Sequence, residues 1–345
     1  MPANNCNSAR KTIDAVQGNS HLWLFAIGRF PISCGIVVRL PVRDPSDFET
    51  FHESQFMRCL IFGCGYLGRR VAKRWVDAGH QVFSVTRSKT NAVLFQQSGI
   101  DPIVADICEP STLTELPEVD LVLHAVGFDR TSGRSHEDVT CTALTHILAA
   151  IQKQRPRLIY ISSTSVYGQS AGEWVNEDSE CLPTQPGGQL CLRAETLASD
   201  HFDAGGLRSL QKLRLAGIYG PGRLLSRIES LKASVPLTGR GDSWLNLVHV
   251  DDAVAAVLVS AERSEGISIY NVVDNQPIQR ETYYQALARL IGAPHPTFDT
   301  SQPGSRGSGG LNKRCSNKRI CEKLGWNPGY PSIETGLPAA IGSAI

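Results

Sequence analysis

The sequence carries almost no net charge and contains no C-x-x-C pair. Its 34 lysines and arginines nearly balance 33 acidic residues, which leaves the 345-residue chain at +1. That balance gives no electrostatic reason to bind nucleic acid or an acidic membrane surface. The ten cysteines are scattered, which is typical of reduced thiols rather than of a disulfide scaffold. We therefore expect a cytoplasmic protein with no nucleic-acid partner.

A long uninterrupted apolar run is also missing. The best candidate extends from His21 to Leu40, but Arg29 and Pro31 interrupt it. A membrane-spanning helix needs about 20 consecutive apolar residues, and a signal peptide needs an unbroken apolar core. We therefore expect no membrane span, no membrane partner and no signal peptide.

The first 56 residues lack a clear hydrophobic period, and Met57 stands directly before the first strong strand pattern. We interpret residues 1–56 as a poorly ordered N-terminal extension that is dispensable or mis-assigned. The alternative is an ordered arm in which Cys34 to Val38 forms a strand. Residues 57–345 fit one large α/β domain that carries a smaller lobe.

The stretch from Met57 to Arg87 has the pattern of a strand, a glycine turn, a helix and a second strand. Its turn is a G-x-G-x-x-G. Gly63 permits a tight turn, Gly65 lets a pyrophosphate approach the backbone, and Gly68 lets helix and strand pack closely. The helix start adds free N–H groups and a partial positive charge. The alternative is a merely structural turn. The cofactor-binding residues predicted here are Gly63, Gly65, Tyr66, Leu67 and Gly68.

Acidic residues are absent between Asp77 and Asp101. An NAD site usually has an acid in this region, which accepts a hydrogen bond from the ribose 2′-hydroxyl. Arg87, Ser88 and Lys89 are suited instead to a 2′-phosphate. We therefore favour NADP over NAD as the cofactor, with Arg87 and Ser88 in the site. The alternative is that Arg87 is a solvated loop cation.

Strand and helix patterns continue to alternate, with strand patterns that end near Asp106, Gly127 and Ser163. This alternation predicts an α/β fold, a Rossmann-like doubly wound parallel sheet with helices on both faces. Ligands of such a sheet bind at the carboxyl ends of its strands. We therefore predict that Asp106, Ala125 and Val126 also line the cofactor site.

Four later segments resemble motifs of the extended short-chain dehydrogenase/reductase superfamily, in its NAD-dependent epimerase/dehydratase group. They are Ile161 to Gly168, Leu213 to Arg223, Leu247 to Ala253, and Tyr270 to Val273. The short glycine turn and the closing Leu324 to Trp326 are most similar to the atypical, YeeZ-like branch. The resemblance covers the chain from Met57 to its C-terminus.

This resemblance implies a small C-terminal substrate lobe, built mainly from residues 223–246 and 276–345. It also implies an oxidoreductase or epimerase that acts on a sugar nucleotide or a related carbonyl or polyol. In the superfamily, a serine at the position of Ser163 polarises the substrate, and a tyrosine transfers the proton. A lysine four residues after that tyrosine lowers its pKa. Ser163 is therefore the catalytic candidate that the resemblance gives.

The tyrosine and lysine of that pair are missing. None of the eight tyrosines is followed by a lysine at the fourth residue. An alignment anchored on Glu195 puts Gly187 and Cys191 at the two positions. Two hypotheses follow: an enzyme with altered acid/base groups, or a non-catalytic NAD(P)-binding sensor or scaffold. For Cys191 itself there are two alternatives: a reactive thiol, or a thiol packed within its helix. We expect no metal, and the substrate and the oligomeric state stay open.

Two aspartates, Asp251 and Asp252, precede a helical pattern over Ala253 to Ala261. Aspartate accepts hydrogen bonds from the free N–H groups at a helix start. We therefore expect one of them to cap this helix rather than to take part in catalysis.

Overall fold

The computed structural model describes residues 56–223, 225–263, 265–301 and 311–342. The predicted extension, residues 1–56, lies outside these ranges except for its last residue. The proposals that it is poorly ordered and dispensable therefore stay predictions.

The described residues form a central sheet, several two-stranded sheets and the surrounding helices. The strands are β1 (Arg58–Phe62), β2 (Gln81–Thr86), β3 (Asp101–Val104), β4 (Leu121–His124), β5 (Arg157–Ser163), β6 (Glu173–Val175), β7 (Ser209–Leu215), β8 (Gly217–Tyr219), β9 (Leu237–Thr238), β10 (Trp244–Leu245), β11 (Leu247–His249), β12 (Ile267–Val272), β13 (Ile278–Gln279), β14 (Phe298–Asp299) and β15 (Lys313–Cys315). The helices are α1 (Gly68–Asp77), α2 (Lys89–Gln97), α3 (Ala143–Ile151), α4 (Pro186–Asp203), α5 (Leu225–Lys232), α6 (Val250–Arg263), α7 (Arg280–Leu290), α8 (Lys318–Leu324) and α9 (Ile333–Gly342).

The central sheet has seven strands in the order β12-β7-β5-β4-β1-β2-β3. Every neighbouring pair in it is parallel. The chain moves outward from β1 to β3, then returns to β4 on the other side of β1 and continues outward to β12. Such a reversal opens a crevice at the carboxyl ends of the two central strands. The predicted Rossmann-like doubly wound sheet is confirmed.

The two faces of the sheet bury alternate side chains of each strand. In β1, Cys59 and Ile61 pack with α1 and α6 on one face, while Leu60 and Phe62 pack with α3 and α4 on the other. All four are fully buried. Burial on both faces explains why β1 is a continuous apolar run rather than an alternating one.

A third buried cluster lies outside the central sheet. It is formed by side chains of α5, α7 and α9 and of the short strands near them, such as Leu231, Leu287 and Leu337. The boundaries predicted for the substrate lobe, 223–246 and 276–345, include most of these residues, and they stay a prediction. Within the ranges that the structure describes, no helix is both long and apolar enough to cross a membrane.

Candidate functional site

The glycine turn after β1 packs tightly against the backbone that follows β4. Gly63 has φ +90, and a Cβ built on it would lie 2.4 Å from the carbonyl carbon of Ala125 and 2.5 Å from the nitrogen of Val126. Only glycine fits this position, for steric reasons and for its backbone conformation. The structure therefore brings Ala125 and Val126 beside the turn, at the crevice between β1 and β4.

The other two glycines of the turn have opposite surroundings. A Cβ on Gly68 would lie 2.5 Å from the carbonyl oxygen of Gly63, so Gly68 lets α1 begin directly against the turn. A Cβ on Gly65 would meet no described atom within 4 Å. The Gly65 backbone thus faces open space beside a helix start, where N–H groups lack intrahelical partners and the field favours an anion. These features fit a dinucleotide pyrophosphate.

The two remaining residues of the turn point in different directions. Leu67 packs its side chain into the core, so a ligand can use only its backbone. Tyr66 donates a hydrogen bond of 3.0 Å to the carbonyl oxygen of Pro221. The guanidinium carbons of Arg70 and Arg223 lie 4.1 and 5.0 Å from the centre of its ring. Tyr66 therefore joins the glycine turn to the loop after β8. Its ring also makes cation–π contacts with both arginines.

The basic end of β2 has an exposed Arg87 and a structurally engaged Ser88. The Ser88 hydroxyl accepts a 3.2 Å hydrogen bond from the N–H of Asn91 and caps α2. Arg69, which the sequence reasoning missed, donates to the carbonyl oxygen of Cys64 at 3.3 Å and to the Asn91 side chain at 3.1 Å. A second cation therefore joins the glycine turn to the start of α2. Its position directly after the last glycine of the motif was the available signal.

Asp106 lies two residues beyond the end of β3, and its carboxylate is already engaged. One oxygen accepts a 3.0 Å hydrogen bond from the N–H of Cys108. The other lies 3.3 Å from the guanidinium of Arg134, which also pairs with Glu109 at 2.9 Å. Asp106 thus connects the loop after β3 with the loop after β4, at the carboxyl ends of the strands.

The serines at the end of β5 have separate partners. Ser163 is half-buried, and its hydroxyl accepts a 3.1 Å hydrogen bond from the N–H of Ser165, which begins a tight turn. Ser162 points to the other face and donates to Glu195 at 2.6 Å. Ser163 therefore faces away from Glu195, at the carboxyl end of β5, the strand that pairs with β4.

Helix α4 begins directly against the turn that follows Ser163, because its third residue, Gly188, has no side chain to keep the two apart. A Cβ on Gly188 would lie 2.3 Å from the carbonyl oxygen of Ser165. One turn later, burial raises the pKa of the Cys191 thiol above its ordinary value. Such a thiol stays protonated at neutral pH, because only a lowered pKa produces a reactive thiolate. The structure therefore favours the packed reading of Cys191.

A buried polar network lies behind the Ser163 turn. Arg214 of β7 pairs with Glu195 of α4, and its third donor reaches the Tyr167 hydroxyl at 2.8 Å. Tyr167 in turn donates to Asn271 of β12 at 2.9 Å. The network thereby connects β7, β12 and α4 with the turn after β5, and Tyr167 acts as a packing residue.

The prediction that Asp251 or Asp252 caps helix α6 is wrong, because both lie inside its first turn, and the N–H of Asp251 donates to Nδ1 of His249 at 3.3 Å. Helix α6 begins at Val250, so Asp252 lies within its first turn. Its carboxylate accepts hydrogen bonds from the N–H groups of Gly329 at 2.6 Å and Tyr330 at 3.0 Å. Asp252 therefore attaches the C-terminal segment to α6, a contact between residues 77 positions apart.

A search of the described residues for three or more histidine, cysteine, aspartate or glutamate side chains arranged to hold a metal found none. What the site does offer is a glycine turn with an open face, two nearby cations and a half-buried serine. These groups suit a large anionic cofactor with a small polar substrate beside it.

Comparison with known proteins gives one family match. The family described as "NAD dependent epimerase/dehydratase family" matches residues 59–273. Protein YeeZ of Escherichia coli strain K12 is 29% identical over 276 residues, which cover 79% of this chain and 95% of that protein.

Two solved structures are similar over most of the chain. A conserved protein of unknown function from Silicibacter pomeroyi DSS has a TM-score of 0.69 and 28% identity, with 84% of this chain and 99% of that chain covered. UDP-glucose 4-epimerase from Thermotoga maritima, solved with UDP-glucose, has a TM-score of 0.72 at 20% identity, with 83% and 98% covered.

Proposed function

Because the chain belongs to the NAD-dependent epimerase/dehydratase family, we propose that it binds NAD(P) at the crevice between β1 and β4. We further propose that it is an oxidoreductase or epimerase. When bound, the dinucleotide supplies a hydride acceptor or donor. The residues proposed to hold it are Gly63, Gly65, Tyr66, Leu67, Gly68, Arg87, Ser88, Asp106, Ala125 and Val126.

The observation that carries this proposal is the open face of Gly65. A Cβ built on Gly63 or Gly68 would lie within 2.5 Å of a backbone atom, too close for any side chain. A Cβ built on Gly65 would meet no described atom within 4 Å. Surface glycines elsewhere, such as Gly79 and Gly205, are equally open, but Gly65 combines an open face with the start of α1 and with a position beside the crevice. A pyrophosphate that approaches the backbone needs such an open face.

We propose a sugar nucleotide, or a related carbonyl or polyol, as the substrate. Arg70 and Arg223 lie against the ring of Tyr66, on the side of the turn that meets the loop after β8. Guanidinium groups are well suited to phosphate groups of a ligand. The similar fold of a UDP-glucose 4-epimerase supports the same substrate class. Ser163 is proposed to polarise the reacting oxygen.

We favour NADP over NAD because two arginines border the end of β2. Arg87 is exposed there, and Arg69 reaches the first turn of α2 through Asn91. A 2′-phosphate is the group that this pair would hold, since arginine binds phosphate oxygens in a bidentate manner. The absence of an acid between Asp77 and Asp101 agrees with this preference.

A second candidate function is a non-catalytic NAD(P)-binding sensor or scaffold. It is favoured by the residues that stand where the superfamily has its tyrosine and lysine, namely Gly187 and Cys191. Glycine has no proton to transfer, and the Cys191 thiol has a raised pKa. The cytoplasm is the proposed compartment for either function, and the eight cysteines among the described residues are free thiols.

The two candidates are separated by binding and turnover. NADPH and NADH are titrated into the protein by fluorescence, and oxidation of each is then followed with a panel of aldehydes and ketones. UDP-glucose is tested with NADP⁺ and NAD⁺. Binding with turnover supports the enzyme, and tight binding with no turnover supports the sensor or scaffold. Failure to bind either nucleotide rejects both.

A further inference from the structure

Two ion pairs fix the segment that follows β4, one to the loop after β3 and one to α4. Arg134 pairs with Asp106 beyond β3, at 3.3 Å. Three residues later, Glu137 pairs with Arg193 of α4, at 2.5 Å. The residue between these anchors that can transfer a proton near neutral pH is His136. The backbone around His136 is therefore held between the cofactor side of the crevice and the face of α4.

Local hydrogen bonds set the direction of this segment. Ser135 and Asp138 exchange hydrogen bonds, since the N–H of Ser135 donates to the Asp138 carboxylate at 3.3 Å and the N–H of Asp138 donates to the Ser135 hydroxyl at 3.0 Å. Reciprocal bonds of this kind fix the start of a helix. His136 follows Ser135 directly, in the helical turns that lead through Asp138–Thr142 into α3, so its backbone position is fixed rather than that of a loose loop.

The imidazole of His136 faces the first turn of α4. Its ring stacks on Phe128, with 4.4 Å between ring centres and 17° between planes. A Cβ built on Gly187 would have the Cε1 atom of His136 at 3.5 Å and no other described atom within 4 Å. A glycine at 187 thus leaves a space that His136 borders, and a larger side chain there would compete with the imidazole for it.

The same helix turn also contacts the turn that follows the serine candidate. Gly188, next to Gly187, packs against the carbonyl oxygen of Ser165, and Ser165 belongs to the turn that Ser163 caps. His136 and the turn that follows Ser163 therefore both lie against the first turn of α4. Both segments follow neighbouring strands at their carboxyl ends, where ligands of such a sheet bind.

We propose that His136 is the group that takes and returns the hydroxyl proton of the substrate, an inference that rests on the proposed oxidoreductase or epimerase function. Oxidation of an alcohol breaks one C–H and one O–H bond. The hydride, with its electron pair, leaves the carbon for the dinucleotide. The proton leaves the oxygen for a ring nitrogen of neutral His136, and in the reverse direction the imidazolium returns it.

The ionisation of His136 is compatible with this role. Partial burial, and secondarily the charge of Arg130, lower the pKa of His136 below its ordinary value. The imidazole is therefore neutral at pH 7 and ready to accept a proton. Two other histidines at strand ends, His124 of β4 and His249 of β11, cannot reach a substrate because they are only 2% and 1% exposed.

The first test locates the imidazole without any catalytic turnover. The ring signals of His136 are identified by NMR from their loss in His136→Ala, and NADPH is then added to the wild-type protein. We expect the His136 signals to shift as the nucleotide saturates. His80 is the matched control, because it is also half-buried but directly precedes β2, at the amino ends of the strands and away from the crevice. Unchanged His136 signals at saturation would overturn the proposal.

The second test separates proton transfer from a structural role. His136→Ala is expected to lower turnover about 100-fold or more, the usual contribution of a general acid or base, while affinity for NADPH changes less than about twofold. Added imidazole should restore part of the lost rate. His80→Ala should retain the wild-type rate. His136→Gln replaces the alanine variant if the latter does not fold.

The outcomes distinguish this inference from the function on which it rests. If the wild-type protein binds neither nucleotide, the proposed function fails and the inference fails with it. If the protein binds nucleotide and turns over substrate, but His136→Ala keeps the wild-type rate, the inference alone is wrong. Binding without turnover across the whole panel also overturns the inference and leaves cofactor binding intact.

Discussion

Arg214 holds both carboxylate oxygens of Glu195, with hydrogen bonds of 2.9 and 2.7 Å. Both side chains are almost completely buried, at 4% and 3% exposure. The pair joins β7 to α4 directly behind the Ser163 turn. A buried ion pair repays the cost of its dehydration only when its remaining donors are also satisfied. Here each of the three guanidinium nitrogens of Arg214 has an acceptor, since the third reaches the Tyr167 hydroxyl at 2.8 Å.

Removal of one partner should therefore be much more harmful than removal of both. We expect Arg214→Met to lower the free energy of unfolding by about 3–5 kcal/mol, because it leaves Glu195 buried and unpaired. The double variant Arg214→Met, Glu195→Leu should cost clearly less than the sum of the two single variants. Urea denaturation of the four proteins measures this. Additive single costs would contradict the expected coupling.

The local part of the site could be predicted from the sequence, and its long-range contacts could not. The roles of Gly63 and Gly68 follow from a six-residue pattern, because the turn and the helix start are local. The pairing of Asp106 with Arg134 joins residues 28 positions apart. The proximity of His136 to Gly187 joins the segment after β4 to the first turn of α4, which only the folded sheet brings together. No spacing in the sequence records such contacts, so the engaged state of Asp106 was not foreseen.

The glycine turn offers a matched pair of variants. Gly63→Ala forces a side chain onto φ +90 and into the Ala125 backbone, and should lower the free energy of unfolding by about 2–5 kcal/mol. Gly65→Ala meets open space, and should change stability by less than about 0.5 kcal/mol.

Gly65→Ala, which should keep its stability, should nevertheless lose nucleotide affinity. The new methyl group of Gly65→Ala occupies the space proposed for the pyrophosphate, so affinity for NADPH should fall at least about tenfold, or about 1.4 kcal/mol. Denaturation and fluorescence titration of the same samples report the two effects. If Gly65→Ala binds NADPH as the wild type does, the pyrophosphate does not lie on this turn.

Arg87 should distinguish the two nicotinamide cofactors. A charge-assisted hydrogen bond to phosphate contributes about 1.5–3 kcal/mol. Arg87→Ala should therefore weaken NADPH binding about 10- to 100-fold and leave NADH binding nearly unchanged. Fluorescence titration with both nucleotides measures the difference. Arg289→Ala, an exposed arginine on α7, is the control for a general loss of positive charge. An equal loss for both nucleotides would refute the assignment of Arg87 to the 2′-phosphate.

Asp274, directly after β12 and Val273, should make the protein less stable as pH rises. It is 2% exposed. One carboxylate oxygen accepts from the N–H of Gln276 at 3.2 Å, and the other has no hydrogen-bond partner among the described residues. Burial, and secondarily the charge of Asp252, raise the pKa of Asp274 to about 8. The folded protein therefore keeps this proton up to about pH 8, while the unfolded chain releases it near pH 4.

Between these two values the folded state binds more protons than the unfolded state. The free energy of unfolding therefore falls as pH rises through this window, by up to about 1.4 kcal/mol for each pH unit. Asp274→Asn mimics the protonated carboxyl group and should remove this dependence. We expect the variant to match the wild type near pH 4.5 and to be the more stable protein at pH 8.

Denaturant titrations at several pH values measure the difference between the two proteins. Asp200→Asn, at an exposed position of α4, is the control, and its difference from the wild type should not depend on pH. A constant difference between Asp274→Asn and the wild type from pH 4.5 to 8 would mean that Asp274 is ionised in the folded protein. The carboxylate would then need a compensating partner, such as an internal water, on the oxygen that no described residue contacts.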